Sequence, residues 1–412
     1  MKNSLKINCF TTISIILTLL FVSCKTNSQT SFKSLENKKN LLISDNLKWS
    51  ERMALSIMKR HPESYMIDDR TVAKWDYVHA VVLNSIEELY KKTKDKKYYN
   101  YVKSYADILI DENGDISKTY TVETYNIDLI TPGSILFDLY ETTQDKRYLV
   151  AMQTLRKQIE EQPRTPSGGF WHKKIYPNQM WLDGLFMGEP FYAQYTATFE
   201  NGKKLDDIAK QFELIQLHAT DKKTGLLYHA WDESKQMPWA NKQTGTSPNF
   251  WSRSIGWYAM ALVDALDYFP KDHPKQKELV GYLNNVANAL VKFQDKSGLW
   301  YQVTDKGGKA GNYLESSGSS MFTYALAKGA NKGYLPKKFK TIAIKAFDGL
   351  TTQLIQVEPN GEINITQACA VAGLGGNPYR DGSYGYYINE RKKDNDPKAT
   401  GPFILAALEL DR

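Results

Sequence analysis

Two stretches of the sequence, "LYKKTKDKKYYNYVKSYADIL" (residues 89–109) and "LYETTQDKRYLVAMQTLRKQI" (residues 139–159), repeat one pattern fifty positions apart. Each is typical of a helix end, a short turn containing Asp-Lys, and a new helix that opens on Tyr98 or Tyr148. Looser copies begin at Leu266 and Ala327. Helix pairs that recur along a chain indicate a repeat architecture.

Helical periodicity marks about twelve segments in the 412 residues. They are predicted to start near Leu47, Trp75, Lys97, Pro132, Lys146, Asp183, Leu205, Trp251, Pro274, Ser316, Pro336 and Ala399. Six hairpins favour an all-α fold, an α/α six-hairpin toroid, as a single domain over residues 45–412. An open solenoid is the alternative.

The links between the predicted helices differ greatly in length, and this favours the toroid. Short links such as "TKDKK" are expected on one face of the ring. Functional residues concentrate on long loops held by a rigid scaffold, so the other face is the candidate functional face. The long links predicted there are Asp111–Thr131, Pro163–Leu182, Thr220–Phe250, Gln294–Ser316 and Glu358–Lys398.

Composition narrows the class of protein. Hydrophobic residues make up 42% and charged residues 24%, as in soluble globular domains. The formal charge of +7 is spread over many Lys-rich turns, and no motif for nucleic acid is present. No His-Glu-x-x-His motif or cysteine cluster predicts a metal site, and no cofactor is expected.

The N-terminal residues 1–23 are typical of an export signal, with Lys2 and Lys6 before an apolar run. Cys24 follows Val22-Ser23 and is similar to a lipoprotein cleavage site; simple secretion is the alternative. Residues 24–44 are a polar tether in this interpretation. We therefore expect a protein of the bacterial cell envelope, in contact with a membrane only through a lipid anchor. Cys369 then remains as the only thiol in the domain, which excludes a disulfide framework.

The predicted long loops are rich in aromatic residues, carboxylates and isolated basic residues. Sugar rings stack on aromatic planes, and their hydroxyls need directed polar partners. Each candidate also has a simpler explanation, such as a helix cap for Asp128 or Asp183 or a buried structural role for His229 or Arg253. The candidates on this face are Asp128, Trp171, His172, Trp181, Asp183, His229, Trp251, Arg253 and Trp257.

From about residue 45 to the C-terminus the chain resembles glycoside hydrolase family 105, the unsaturated glycuronyl hydrolases. The motifs that carry the resemblance are "WDY" at Trp75, "YNID" ending at Asp128, "MWLDGLFMGEPFYAQY" around Asp183, "HAWD" at His229, "WSRSIGW" from Trp251, "SSMFTYALAKG" and "NDPKATGPFILAALEL". The resemblance implies an α/α six-hairpin barrel. It also implies removal of a terminal 4,5-unsaturated uronic acid by hydration of its double bond.

The resemblance assigns roles to individual residues. Asp183 matches the acid/base residue and Asp128 the second carboxylate. Three further residues match positions that line the sugar site, and Trp181 and Trp251 are expected beside them. Those three are His229, Arg253 and Trp257.

The sequence leaves the substrate open. The sugar next to the unsaturated uronic acid is rhamnose derived from pectin in some family members and from the algal polysaccharide ulvan, sometimes sulfated, in others. Arg391, Lys392 and Lys393 either accommodate a sulfate or form a solvated charge run.

Two other functions are possible on the sequence alone. One is a conventional inverting glycosidase that uses Asp128 and Asp183 as base and acid, and the other is a glycan-binding lipoprotein without activity. Whether the protein is a monomer or a dimer is not predicted.

Overall fold

The two repeated turns form as the sequence predicts. In the computed structural model, which describes residues 42–412, Lys94 and Gln144 end their helices in the left-handed conformation with φ of 59° and 56°. The next residue, Asp95 or Asp145, accepts a hydrogen bond from the backbone N–H two positions on, at 3.0 Å in both cases. A left-handed residue that ends one helix and an aspartate that caps the next reverse the chain within two residues.

Twelve helices make a closed ring of two layers, and every inner helix follows a long connection while most outer helices follow a short turn. The inner helices are α2 (Tyr77–Thr93), α4 (Leu136–Thr143), α6 (Leu182–Phe199), α8 (Ser252–Ala265), α10 (Ser316–Asn331) and α13 (Pro397–Leu410). The outer helices are α1 (Trp49–Arg60), α3 (Lys96–Leu109), α5 (Lys146–Glu161), α7 (Leu205–Ala219), α9 (Gln276–Lys292) and α11 (Lys338–Gly349). A further short helix, α12 (Tyr384–Asn389), lies in the last long loop.

The ring is closed by helices from opposite ends of the chain. The last inner helix, α13, packs against the first, α2, and pairs with α1 as the sixth hairpin. A Cβ at Gly401 would lie 2.5 Å from the Val81 carbonyl oxygen, so glycine at this position lets the two helix backbones approach closely. The α/α six-hairpin toroid is confirmed, and the open solenoid is wrong.

The predicted helix starts agree with the observed starts to within two residues, except at α4. There the chain first forms a 3₁₀ turn over Thr131–Ile135, and the α-helix begins only at Leu136. Pro132 in that turn has no N–H to donate, which suits the first turn of a helix.

The inner layer supplies most of the core. Every residue of α8 except Asp264 is buried, whereas an outer helix such as α3 buries one stripe that includes Tyr98, Tyr101 and Tyr105. A helix that is buried all round must lie between other elements, and an amphipathic helix covers them from outside.

The long loops hold the strands of the structure. Within residues 42–412 the strands form three short antiparallel pairs; the first joins two different long loops, and the other two lie within the last long loop. They pair β1 (Gln179–Trp181) with β2 (Ala230–Asp232), β3 (Ile355–Val357) with β4 (Ile363–Ile365), and β5 (Ala368–Cys369) with β6 (Lys392–Lys393).

At its N-terminal end the described chain is part of the fold. Ile43, in the segment predicted as tether, is buried, and its N–H donates to the Asn360 carbonyl at 3.0 Å. The predicted signal peptide, Cys24 and the tether up to residue 41 lie outside the described residues. Within residues 42–412, none of the helices has the length and apolarity needed to cross a bilayer.

Candidate active site

Two carboxylates face the long-loop end of the ring. Asp183 lies in the first turn of α6, and Asp128 lies in a one-turn 3₁₀ helix in the loop before α4. Both side chains are mostly covered but remain accessible, at 14% and 11% of their surface. Neither caps a helix, because Asn126 accepts the N–H of Asp128 and no side chain caps α6. The simpler explanation of helix capping is therefore wrong for both.

Backbone hydrogen bonds join the loops that carry these residues. The N–H of Ile127 donates to the His172 carbonyl at 3.2 Å, and the N–H of His172 donates to the Gln179 carbonyl at 2.9 Å. The N–H of Leu182 then donates to the His229 carbonyl at 3.1 Å, next to the β1–β2 pairing. Residues from three hairpins are thus held together by main-chain contacts, which are more rigid than side-chain contacts alone.

Asp183 and His229 meet at the centre of the site. The Asp183 Oδ2 atom lies 3.2 Å from His229 Nε2, but the two atoms are not aligned for a hydrogen bond. The fully buried His229 ring is fixed from its other side, where Nδ1 and the Tyr387 hydroxyl share a hydrogen bond of 2.7 Å. Both facing atoms are buried and have unused hydrogen-bonding capacity.

Asp128 has a different environment. Its Oδ2 atom lies 2.6 Å from the Lys173 ammonium nitrogen, and Oδ1 lies 3.3 Å from His172 Nε2. Burial by itself would raise the pKa of Asp128, but Lys173 and His172 together outweigh burial and hold that pKa below its ordinary value. Asp128 is therefore ionised at neutral pH.

His172 packs between Asp128 and the start of α6. Its ring stacks on Trp181 with centroids 4.8 Å apart, and a Cβ at Gly184 would lie 3.0 Å from its Nδ1 atom. Burial, partly opposed by Asp128, lowers the pKa of His172 to about 4, so the ring is neutral at physiological pH. Its Nδ1 atom has no hydrogen-bond partner within residues 42–412.

The predicted tryptophans take different places. Trp181 lies at the site and stacks on Tyr176 at 4.9 Å, while Trp251 packs against His229 at 4.8 Å and donates from Nε1 to Gln302. Trp257 is 1% exposed and stacks on Phe186 at 4.6 Å, below the site. Of these three tryptophans, only Trp181 stacks on an aromatic residue that is itself partly exposed, namely Tyr176.

Arg253 lies beneath the site rather than in contact with either carboxylate. Its side chain is 1% exposed, and Nε donates to the Ser317 hydroxyl at 2.7 Å. The Nη2 group donates to the Cys369 carbonyl and lies 3.7 Å from the buried Glu315. This environment supports the structural role that the sequence left open. The Nη1 group has no hydrogen-bond partner among the described residues, so a role in sugar binding stays a prediction.

Several residues of the site were not assigned from the sequence. Lys173 contacts Asp128, and Tyr387 contacts His229. Burial, reinforced by the charge of Asp128, raises the pKa of the Tyr77 hydroxyl well above its ordinary value. Tyr77 therefore remains a hydrogen-bond donor. The signals existed, since Tyr77 ends "WDY" and Tyr387 ends "YRDGSYGYY", but nothing in the spacing told these residues from neighbouring core aromatics.

The basic residues near the C-terminus are not one solvated run. Lys393 lies 2.6 Å from Asp68 and 3.4 Å from Asp69, so its charge holds the loop before α2. Lys392 is exposed and lies over the Tyr313 ring at 4.1 Å.

Comparison with known proteins gives one consistent family. Residues 49–412 match the sequence model of Glycosyl Hydrolase Family 88. A solved family 105 glycoside hydrolase from C. acetobutylicum is 46% identical, covers 89% of this chain and 99% of its own, and superposes with a TM-score of 0.85.

Several curated relatives carry functional names. The unsaturated rhamnogalacturonyl hydrolase YesR of Bacillus subtilis is 27% identical over 300 residues, which is 71% of this chain and 79% of that protein. An unsaturated 3S-rhamnoglycuronyl hydrolase of Alteromonas sp. is 25% identical over 231 residues, which is 56% of this chain and 50% of that protein.

Proposed function

Since the chain belongs to glycoside hydrolase family 88/105 and is a glycoside hydrolase acting on unsaturated oligosaccharides, we propose that it releases the terminal 4,5-unsaturated uronic acid from lyase-generated unsaturated uronyl-rhamnose oligosaccharides. The reaction in this proposal is hydration of the vinyl ether. The observation that carries the residue assignment is the contrast between the two carboxylates. Asp128 lies against the Lys173 ammonium at 2.6 Å, and no ammonium group lies within 4 Å of Asp183 among residues 42–412.

This contrast separates the two roles. A carboxyl group held ionised by an adjacent cation cannot deliver a proton, so Asp128 acts as a fixed negative charge that orients the substrate. Asp183, facing the His229 imidazole and free of an ammonium partner, is the group that we assign to carry and transfer a proton. The first turn of a rigid helix holds it in place, which a proton donor needs.

In the proposed reaction Asp183 acts first as a proton donor and then as a proton acceptor. Asp183 gives its proton to C4 of the sugar, which leaves positive charge shared between C5 and the ring oxygen. Asp183, now ionised, accepts a proton from water as the water oxygen bonds to C5. The C5 hydroxyl of the resulting hemiketal gives its proton to the ring oxygen as the bond between C5 and that oxygen breaks, which leaves a ketone at C5 and a hydroxyl on C1. That C1 hydroxyl then gives its proton to the leaving sugar's oxygen as the bond from C1 breaks, which leaves an aldehyde at C1.

Recognition of the unsaturated sugar is assigned to the aromatic and basic residues around Asp183. Trp181 offers an aromatic plane for the flat unsaturated ring, and the neutral Tyr77 hydroxyl and the His229 Nε2 atom offer hydrogen bonds. Trp251 and Trp257 support this arrangement from below. Arg253 contributes through its Nη1 group, while Nε donates to Ser317 of α10 and Nη2 donates to the Cys369 carbonyl.

For the neighbouring sugar we favour unsulfated rhamnose from rhamnogalacturonan. The support is that the similarity to YesR extends over 79% of that protein, whereas the similarity to the 3S-rhamnoglycuronyl hydrolase of Alteromonas extends over 50%. The ion pairing of Lys393 with Asp68 also leaves one basic residue fewer for a sulfate.

An absorbance assay tests the reaction and the substrate together. The conjugated double bond absorbs ultraviolet light and is lost on hydration, so lyase products of rhamnogalacturonan and of ulvan are offered in parallel with saturated counterparts. Loss of absorbance with the rhamnogalacturonan products, and none with ulvan products, is expected. Faster loss with ulvan products would overturn the substrate assignment, and cleavage of a saturated control would overturn the mechanism in favour of a conventional inverting glycosidase.

Export and lipidation of Cys24 are also part of the proposal. The support is the sequence of residues 1–24, in which an apolar run ends in Val-Ser-Cys. In cells that process bacterial lipoproteins, the full chain is expected in the membrane fraction and the Cys24→Ser variant in the soluble fraction. Equal distribution of the two proteins would favour simple secretion.

A further inference from the structure

A cavity of about 600 Å³ lies at the end of the ring opposite the two carboxylates. All six inner helices contribute side chains to it, so it lies on the axis of the toroid. Its volume is in the usual range of about 300–1,000 Å³ for small-molecule sites. It shares no lining residue with the contacts made by Asp183, Asp128 or His229.

This axial cavity is lined by both apolar and acidic side chains. Val81, Phe186, Met260 and Leu405 line it and are buried. Seven carboxyl groups and four lysines also line it, so acidic side chains outnumber basic ones by three. The inner helices also end here, and the carbonyl end of a helix carries partial negative charge. The cavity therefore attracts cations.

Each of the four lysines already forms ion pairs with one or two of the carboxylates that line the cavity. Their ion pairs are Lys91 with Glu88 and Asp138, Lys328 with Asp264 and Asp267, Lys332 with Asp267, and Lys92 with Asp411. Two lining carboxylates, Glu87 and Glu409, have no cation within 4 Å among the described residues.

Of these two carboxylates, Glu87 is the more deeply buried. Its side chain lines the cavity and the residue is only 7% exposed, yet it makes no hydrogen bond or ion pair with any residue of the described chain. One turn earlier on α2, the Asn84 Oδ1 atom is buried without a partner. Burying unpaired polar groups is costly, and natural proteins rarely keep them without a use. Burial, reinforced by Asp138 and only partly offset by the charge of Lys91, raises the pKa of Glu87, and a cation placed beside it would favour the charged form again.

The chemistry of the lining decides what kind of cation fits. No cluster of three or more His, Cys, Asp or Glu side chains is placed to hold a metal ion within residues 42–412. An alkyl ammonium needs one or two carboxylates and apolar walls for its methylene groups, and this cavity has both. Two unpaired carboxylates suit two ammonium groups.

We propose that the axial cavity binds a small aliphatic diamine or polyamine. Glu87 receives one ammonium group inside the cavity, and Glu409 receives a second at the rim, where it also accepts a hydrogen bond from Asn331 at 2.7 Å. The methylene chain lies against Phe186 and Met260. This site is separate from the glycosidase chemistry and does not depend on it.

Calorimetric titration of the full chain with 1,4-diaminobutane and with spermidine tests the proposal. Binding is expected, and Glu87→Gln is expected to weaken it at least about tenfold, since a charged hydrogen-bonded pair is lost. Glu161→Gln, on the outer helix α5, is the matched control and should bind as the parent does. Turnover of unsaturated oligosaccharides should be unchanged in both variants, because Glu87 contacts no residue of the active site.

Three results would overturn the proposal. No heat of binding with either amine would show that the cavity does not take organic cations. Equal affinity in the parent chain and in Glu87→Gln would place the amine elsewhere on an acidic surface. Tighter binding of Mg²⁺ or of a neutral disaccharide, lost in Glu87→Gln, would assign the cavity to another class of ligand. Unfolding curves for each variant separate lost binding from lost fold.

Discussion

At the residue scale, the site is defined by two aspartates whose sequence contexts look alike and whose neighbours differ. Asp128 is paired with Lys173, and Asp183 faces His229 without an aligned hydrogen bond. The Lys173 ammonium therefore distinguishes the surroundings of the two carboxylates, and the proposed function assigns them different roles on this ground.

The first prediction concerns proton transfer. Asp183→Asn keeps the shape of the side chain and removes its ability to donate a proton, so kcat should fall by about 10²–10⁴ or more. Steady-state absorbance assays measure the loss, and thermal unfolding confirms the fold. Asp206→Asn, at a carboxylate with 82% of its surface exposed on α7, is the control. Substantial turnover by a folded Asp183→Asn protein would remove Asp183 from the mechanism.

A second prediction uses the pKa of Asp128. In the parent chain Lys173 and His172 keep that pKa below its ordinary value against the effect of burial. In Lys173→Met the ammonium is lost, burial dominates and the pKa of Asp128 rises. Because the charged form is the active one, the acidic limb of the kcat/KM profile should move to higher pH by about one unit or more.

The same substitution changes stability in a defined window. A carboxyl with a lowered pKa stabilises the fold above its unfolded pKa of about 3.9, and this contribution is lost as pH falls through its folded pKa. The parent should therefore lose that contribution below about pH 4, and Lys173→Met should lack it at neutral pH. An unchanged acidic limb in Lys173→Met would mean that Asp128 is not required in its charged form.

At the element scale, α6 holds the site together through its glycines as well as through Asp183. Gly184 and Gly188 lie one turn apart and face the loop with Asp128, where added Cβ atoms would lie 3.0 Å from His172 Nδ1 and 2.8 Å from Ile127 Cδ1. The helix surface is therefore shaped to receive the His172 ring and the 3₁₀ turn beside it.

A third prediction follows from this close packing. Gly184→Ala should displace His172 by a few tenths of an ångström and lower kcat/KM by about tenfold or more, because small misplacements at a reacting centre are costly. The matched control is Gly281→Ala in the interior of α9, where a Cβ would meet nothing within 4 Å. It should raise the free energy of unfolding by about 0.5–1 kcal/mol and leave activity unchanged. If both alanines were neutral for activity, the packing of α6 on His172 would not matter to catalysis.

At the scale of the whole molecule, the ring is closed by its two ends. The N–H of Ser50 donates to the carbonyl of Arg412 at 3.5 Å, and Lys48 pairs with Asp411. The hairpin α13–α1 is therefore built from both termini of the domain, and every other hairpin is continuous in sequence.

The fourth prediction tests this closure by circular permutation. Arg412 is joined to Leu42 through a short Gly-Ser linker, and new termini are opened between Gln144 and Asp145, in an exposed short turn. This permutant should fold and retain activity, because the cut lies in a short turn away from the loops that carry the site. A second permutant opened between Lys174 and Ile175 should fold but lose activity, since it frees the loop with His172 and Lys173. Failure of the first permutant to fold would show that closure requires the natural chain order.

The sequence by itself determined the fold and the position of most of the site. Helical periodicity, aspartate-capped turns and unequal loop lengths depend on interactions within a few residues, so the twelve helices and the functional face followed directly. Asp128 and Asp183 were identified through short, contiguous sequence motifs.

The tertiary structure alone decided which groups touch. The cation beside Asp128, the buried network around Arg253 and the unpaired Glu87 depend on packing between segments that are far apart in the chain. Lys173 and Tyr387 have no local pattern that distinguishes them from surface lysines and core tyrosines. Electrostatic environments are set by distance in space, and spacing along the sequence does not encode that distance for side chains that meet across a ring.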